Sequence, residues 1–171
     1  MRFIYLTELN TILLCFIVWP IIQVGSALLC LYLPNRFFSP RSWIFRAFSW
    51  EKDGRIYDKF LGVSHWKQML PDGSLMANSR GFRKKKLRSY TSEYLERFLL
   101  ESCRTEMTHL LAILPFWVFW FFTPPQVPWM MLAYALIVNL PCMIVQRYNR
   151  PRIIRILRKR EAMGYIREDL S

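Results

Sequence analysis

Histidine is almost absent from this chain: its 171 residues include two, His65 and His109. Any chemistry that needs an imidazole therefore has those two candidates. The six glycines build no phosphate-cradling loop. The four cysteines, at 15, 30, 103 and 142, show no CxxC or zinc-type His spacing, and three lie in apolar stretches. They read as reduced packing residues, and no metal site is expected. Acidic residues are few, 12 against 24 Lys and Arg, for a formal charge of +12. No zinc-finger spacing or aromatic RNA-binding signature accompanies that charge, so a membrane surface with anionic headgroups is the expected partner and nucleic acid is not. Neither histidine is followed five residues later by Asp (Leu70 and Leu114 stand there), which removes the soluble glycerolipid acyltransferase pattern. A Gly-x-Ser-x-Gly elbow is also missing. The first apolar run lacks a small-residue cleavage site and reads as a retained anchor.

Hydrophobic residues make up 53% of the chain and aromatics 16%, too much for a typical soluble domain that also holds 24 cations. The two excesses must be segregated. Residues 11–33 are long enough for a first span, interrupted by Pro20, Gln23, Gly25 and Ser26, where packing on other spans is expected. Residues 34–106 form a polar segment. Its aromatics (Phe37, Phe38, Trp43, Phe45, Phe48, Trp50) alternate with Arg36, Arg41 and Arg46, which predicts an interfacial helix. Turns are expected at Asp53-Gly54 and Pro71-Asp72-Gly73, and a basic run at 80–88 suits a solvated or lipid-facing loop. Thr91 or Ser92 can cap a helix that enters a second span at 107–122, kinked at Pro115. Pro124-Pro125 then turns the chain into a third span, 127–145, where Asn139 suits a helix-to-helix hydrogen bond. Residues 146–171 read as a tail with an amphipathic helix.

The predicted fold is thus a single all-α integral membrane domain. It has three transmembrane helices, an interfacial and cytoplasmic helical segment between the first two, and an amphipathic C-terminal helix. The 34–106 segment holds 15 Lys and Arg and the tail 8, against Arg2 alone before the first span. The positive-inside rule predicts a multi-pass cell-membrane protein with its N-terminus outside and the polar segment and C-terminus cytoplasmic.

The candidate chemistry lies at 101–109. Glu101, Arg104, Glu106 and His109 fall within a helical arc of about 200° at the edge of an apolar run. Ionisable groups at that depth are costly, hence candidates for function. Glu106 stands three residues before His109, placed to accept a ring N–H and leave the other nitrogen as a base. Glu101 is a second orienting carboxylate, or pairs with Arg104 as a neutralised boundary. Arg104 is a candidate for oxyanion stabilisation. A lone Glu-x-x-His pair is too little for a di-iron bundle. Arg147, Arg150 and Arg152 suit phosphates, either lipid headgroups or the nucleotide part of an acyl carrier such as coenzyme A.

Three groups of residues, in order, resemble one family. They are Trp66-Lys67 with Leu70-Pro71-Asp72-Gly73, then Glu101-x-x-Arg104-x-Glu106-x-x-His109, then Gln146-Arg147-Tyr148-Asn149-Arg150-Pro151-Arg152, preceded by Glu51-Lys52-x-Gly54. Over about residues 35–155 the pattern looks like the glycosyl-4,4'-diaponeurosporenoate acyltransferases of staphyloxanthin-type carotenoid synthesis. The resemblance implies a membrane O-acyltransferase that esterifies a fatty acyl chain onto the sugar hydroxyl of a glycosylated carotenoid acid or similar glycolipid. No tightly bound cofactor is expected; the donor would be acyl-CoA or another acyl carrier. Site residues are then His109, Glu106, Glu101 and Arg104 for catalysis, and Trp66, Lys67, Asp72, Arg147, Asn149 and Arg150 for substrate binding. The alternatives are a non-catalytic membrane adaptor and a lipid-binding protein, both acting through the basic face.

Overall fold

The computed structural model describes residues 3–70 and 91–168, with side chains described as far as residue 163. Every regular element among the described residues is helical. The chain divides into two compact units: Met1–Leu33 with Thr105–Met143, and Pro34–Arg104 with Ile144–Ser171. The expected segregation of apolar and basic residues therefore appears as two bodies.

The apolar unit opens with α1 (Glu8–Tyr32), whose first turn is capped by the Thr7 side chain accepting from the Asn10 N–H at 3.4 Å. Pro20 is accommodated inside it. Only 11% of its most apolar stretch is buried, and Phe16, Ile21 and Leu9 stand in the open. The apolar start of α5 (Val127–Glu168) is 17% buried. Helices of that length that turn apolar side chains outward fit lipid, whereas water would penalise them. Two helices, not the expected three, are long and apolar enough to cross a bilayer among the described residues.

The missing one is at 107–122. There α4 (Ser92–Ile113) stops and the chain continues as a 3-10 coil over Leu114–Phe121. The cause is Pro115, non-helical at φ −76°, ψ 15°: without an N–H it cannot close the next α-helical bond, and its ring crowds the preceding turn. Thr123 ends the coil by donating its hydroxyl to the Phe119 carbonyl at 2.7 Å.

The polar unit corrects two further expectations. Residues 34–54 form short 3-10 stretches and turns, not an interfacial helix. Phe38 and Phe45 are buried, and guanidinium groups lie over them and over the half-buried Phe48: Arg104 on Phe38 at 4.9 Å, Arg150 on Phe45 at 5.7 Å, Arg147 on Phe48 at 5.5 Å. Phe37, Trp43 and Trp50 remain exposed. The amphipathic tail is not a separate helix but the continuation of α5, which passes through Pro151 unbroken.

Two short helices, α2 (Arg55–Leu61) and α3 (Val63–Trp66), follow a turn of three successive left-handed residues, Lys52, Asp53 and Gly54. Asp58 accepts the Ser64 N–H at 2.9 Å, and hydrogen bonds from Ser64 are the main reason its carboxyl titrates below the ordinary range. Tyr57, Val63, Val145 and Tyr148 pack as one core and Leu95, Phe98, Leu99 and Ile153 as another.

Gly54 joins the first core to α5. Its φ is +80°, and a Cβ placed there would lie 2.9 Å from the Tyr148 carbonyl oxygen and 3.4 Å from that of Arg147. The Arg147 carbonyl is the one that Pro151, four residues on, cannot serve with an N–H. Gly54→Ala is expected to cost about 1–2 kcal/mol from the left-handed backbone alone. The close approach to rigid helix backbone adds to that, read as a lower unfolding midpoint in detergent. An unchanged midpoint would show that the turn is free to move away from α5.

Candidate active site

Two groups of candidate residues share α4 but belong to different units: Glu101 and Arg104 to the polar one, Glu106 and His109 to the apolar one.

In the apolar unit His109 has a neighbour that the sequence pattern did not single out for it. His109 Nδ1 lies 2.8 Å from Asn139 Oδ1, on α5. Asn139 has no exposed surface, and its Nδ2 donates to the Ala135 carbonyl at 2.9 Å. That bond fixes which way the amide points. With its nitrogen committed to a carbonyl, the amide turns its oxygen, which can only accept, toward the imidazole. His109 Nδ1 therefore carries the proton and Nε2 keeps the lone pair. An asparagine orients a catalytic imidazole in the same way in Cys-His-Asn sites. His109 itself is half-buried, and Glu106, one turn earlier on α4, is fully buried. The helix-to-helix bond expected of Asn139 is present; that its partner is His109, 30 residues away, had no signal in the sequence.

In the polar unit Arg104 pairs with Glu101, donates through Nη2 to Asn35 Oδ1 at 2.6 Å and lies over Phe38. This is the neutralised-boundary arrangement, with Asn35 added from a distant turn. Arg147 donates to Glu51 Oε1 at 2.6 Å and to the Ile44 carbonyl at 2.7 Å. Arg150, buried, donates to the Phe45 carbonyl at 2.7 Å and to Ser102 Oγ at 3.4 Å. Both guanidinium groups thus clamp the 44–51 turn onto α5. The motif that looked made for phosphates uses its first two arginines to bind this chain.

Trp66 packs in the Tyr57 core and donates Nε1–H to the Leu61 carbonyl at 2.7 Å. Lys67 lies 4.8 Å from the centre of the Tyr148 ring, and Asn149 is half-buried on α5. Asp72, the 71–73 turn and the basic run at 80–88 lie outside the described residues. All four cysteines are free thiols. Among the described residues no three His, Cys, Asp or Glu side chains gather as a metal site.

Residues 40–159 match the family model described as glycosyl-4,4'-diaponeurosporenoate acyltransferase. Two proteins so named from Staphylococcus aureus are similar to the chain over 150 residues. That of strain bovine RF122 / ET3-1 is 34% identical and that of strain USA300 33%, each alignment covering 88% of this chain and 90% of the relative. No solved structure matches.

Proposed function

This chain belongs to the glycosyl-4,4'-diaponeurosporenoate acyltransferase family, and from that premise we propose that it esterifies a fatty acyl chain onto a sugar hydroxyl of a glycosylated carotenoid acid or related glycolipid. It is an acyltransferase. His109 is the general base. Its Nε2 takes the proton of the sugar hydroxyl as the oxygen attacks the acyl carbonyl of the donor. The tetrahedral intermediate then collapses, the donor's thiolate or equivalent leaves, and the proton on Nε2 returns to that leaving group. Asn139 holds the ring through Nδ1, and Glu106, one turn away on the same helix, is the acidic residue proposed to stabilise the positive charge that develops on it. The observation that carries this reading is the 2.8 Å bond from His109 to a fully buried, doubly engaged Asn139. The donor is an acyl-CoA or another acyl carrier, and no tightly bound cofactor is required.

The chain works as an integral protein of the cell membrane. Its outward-facing apolar helices support this, and so do the exposed Trp43, Trp50 and Phe60 of the polar unit, rings that suit the headgroup level. Connectivity supports three passes, the middle one formed by the end of α4 and the 3-10 coil. The N–H groups of Phe3 and Ile4 both donate to the Phe121 carbonyl, at 2.9 and 3.0 Å. Residue 121 has therefore returned to where α1 began. With most cations in residues 34–106 and after 146, the N-terminus lies outside and the polar unit in the cytoplasm.

The test is expression together with a glycosylated carotenoid acid and mass spectrometry of the extracted pigment. A product heavier by one fatty acyl group is expected. Recovery of the glycoside unchanged, with the protein present in the membrane, would overturn the assignment.

A further inference from the structure

Arg147 and Arg150 are committed to the 44–51 turn, which leaves Arg152 as the third arginine of the motif to consider for a phosphate. Tyr148 is a buried ring between them in sequence, and two cations from different elements lie against it. Lys67 Nζ is 4.8 Å from its centre and the Arg152 guanidinium carbon 3.5 Å. Arg152 is held there by donating Nη1–H to the Tyr148 carbonyl at 2.6 Å. Among the described residues neither Lys67 nor Arg152 forms an ion pair. Asp58 supplies some opposite charge to both, at a distance and without an ion pair, while its Oδ1 accepts from the Ser64 N–H.

We infer that Lys67 and Arg152, gathered on the Tyr148 ring, form a seat for a phosphate group. Two half-buried cations on one ring repel each other, and an anion between them removes that repulsion while accepting from both. Consistent with this, Lys67 titrates below an ordinary lysine, first because it is partly buried and next because of Arg152. Arg152 uses one N–H on a carbonyl and keeps the rest of its five-donor fork for a ligand. The broader cleft of this unit, about 360 Å³, has the wrong sign for the task, because Glu93, Glu96 and Glu101 line it against Arg97 alone.

The phosphate belongs either to the acyl carrier or to an anionic phospholipid headgroup. Naming the acyl carrier rests on the acyltransferase reading, but binding is measured without turnover and so stands or falls separately. The full-length protein in a phosphate-free maltoside detergent is dialysed against coenzyme A, and in parallel its retention of added phosphatidylglycerol is measured. Lys67→Gln and Arg152→Gln are each expected to weaken one of these about ten- to a hundredfold, the loss of a charge-assisted contact. Arg152→Lys, which keeps the charge, should fall between wild type and Arg152→Gln. Weaker coenzyme A binding identifies the carrier, and weaker lipid retention identifies the headgroup. Unchanged affinity for both probes in both glutamine variants overturns the seat, as does a loss in Arg152→Gln that tracks its unfolding midpoint and is absent in Lys67→Gln.

Discussion

His109→Ala is expected to lower the rate of acyl transfer by about 10²–10⁴-fold, the usual worth of a positioned general base. The protein should still accumulate in the membrane with its pigment precursor bound. The effect should be on kcat, because the imidazole acts on the proton in flight and makes no large contribution to holding either substrate. His109→Gln separates this from a packing role, since glutamine can still hydrogen-bond to Asn139 but cannot take up a proton near neutral pH. If His109→Gln retains most of the activity, His109 is no more than polar glue between α4 and α5.

Asn139 sharpens the same test. Asn139→Leu removes the acceptor at Nδ1, frees the ring to adopt the other tautomer, and is expected to lower kcat and shift the acidic limb of the pH–rate profile. Asn139→Asp keeps an acceptor 2.8 Å from the ring. It should restore much of kcat, because Nδ1 regains an acceptor. A merely structural asparagine would give variants that differ in unfolding midpoint with an unmoved pH profile.

What was legible in the chain divides along a physical line. Short-range rules worked in most places: Thr91 precedes the first turn of α4, Asp53-Gly54 is a turn, and the apolar and basic stretches separate, while Pro115 ends α4 where only a kink is expected. Each of those depends on neighbours within a few residues. Long-range pairings had no local signal. Arg46, Phe45 and Phe48 look like an interfacial stripe when read in order, yet the cations that stack on Phe45 and Phe48 include Arg150 and Arg147, about a hundred positions away. Residues 146–171 read as a tail separate from the third span, and Pro151 lacks the N–H that a continuing helix would use. In the fold the helix continues, with Gly54 close to the Tyr148 and Arg147 carbonyls. For the site, the imidazole and the amide within an apolar stretch were each recognisable, but their pairing depends on how α4 and α5 pack.

Arg147→Met is the second large effect and decides what the arginine motif is for. Glu51 is 1% exposed, and its Oε1 lies 2.6 Å from Arg147 Nη1. Removing the cation strands a buried carboxyl, a change that costs about 3–5 kcal/mol when one partner of a buried pair is lost. The Ile44 carbonyl and the Phe48 ring lose their partner in the same step. A large fall in the unfolding midpoint is therefore expected. Much of it should return in the double variant Glu51→Gln with Arg147→Met, where the amide no longer needs a counter-charge. An arginine whose task was to hold the donor's phosphate would behave in the opposite way. Its loss would raise KM for the donor, leave the midpoint where it was, and gain nothing from a change at Glu51. The geometry favours the first outcome, because Arg147 is engaged by a carboxylate, a carbonyl and a ring of its own chain. Binding a phosphate there would mean giving up contacts that hold the 44–51 turn to α5.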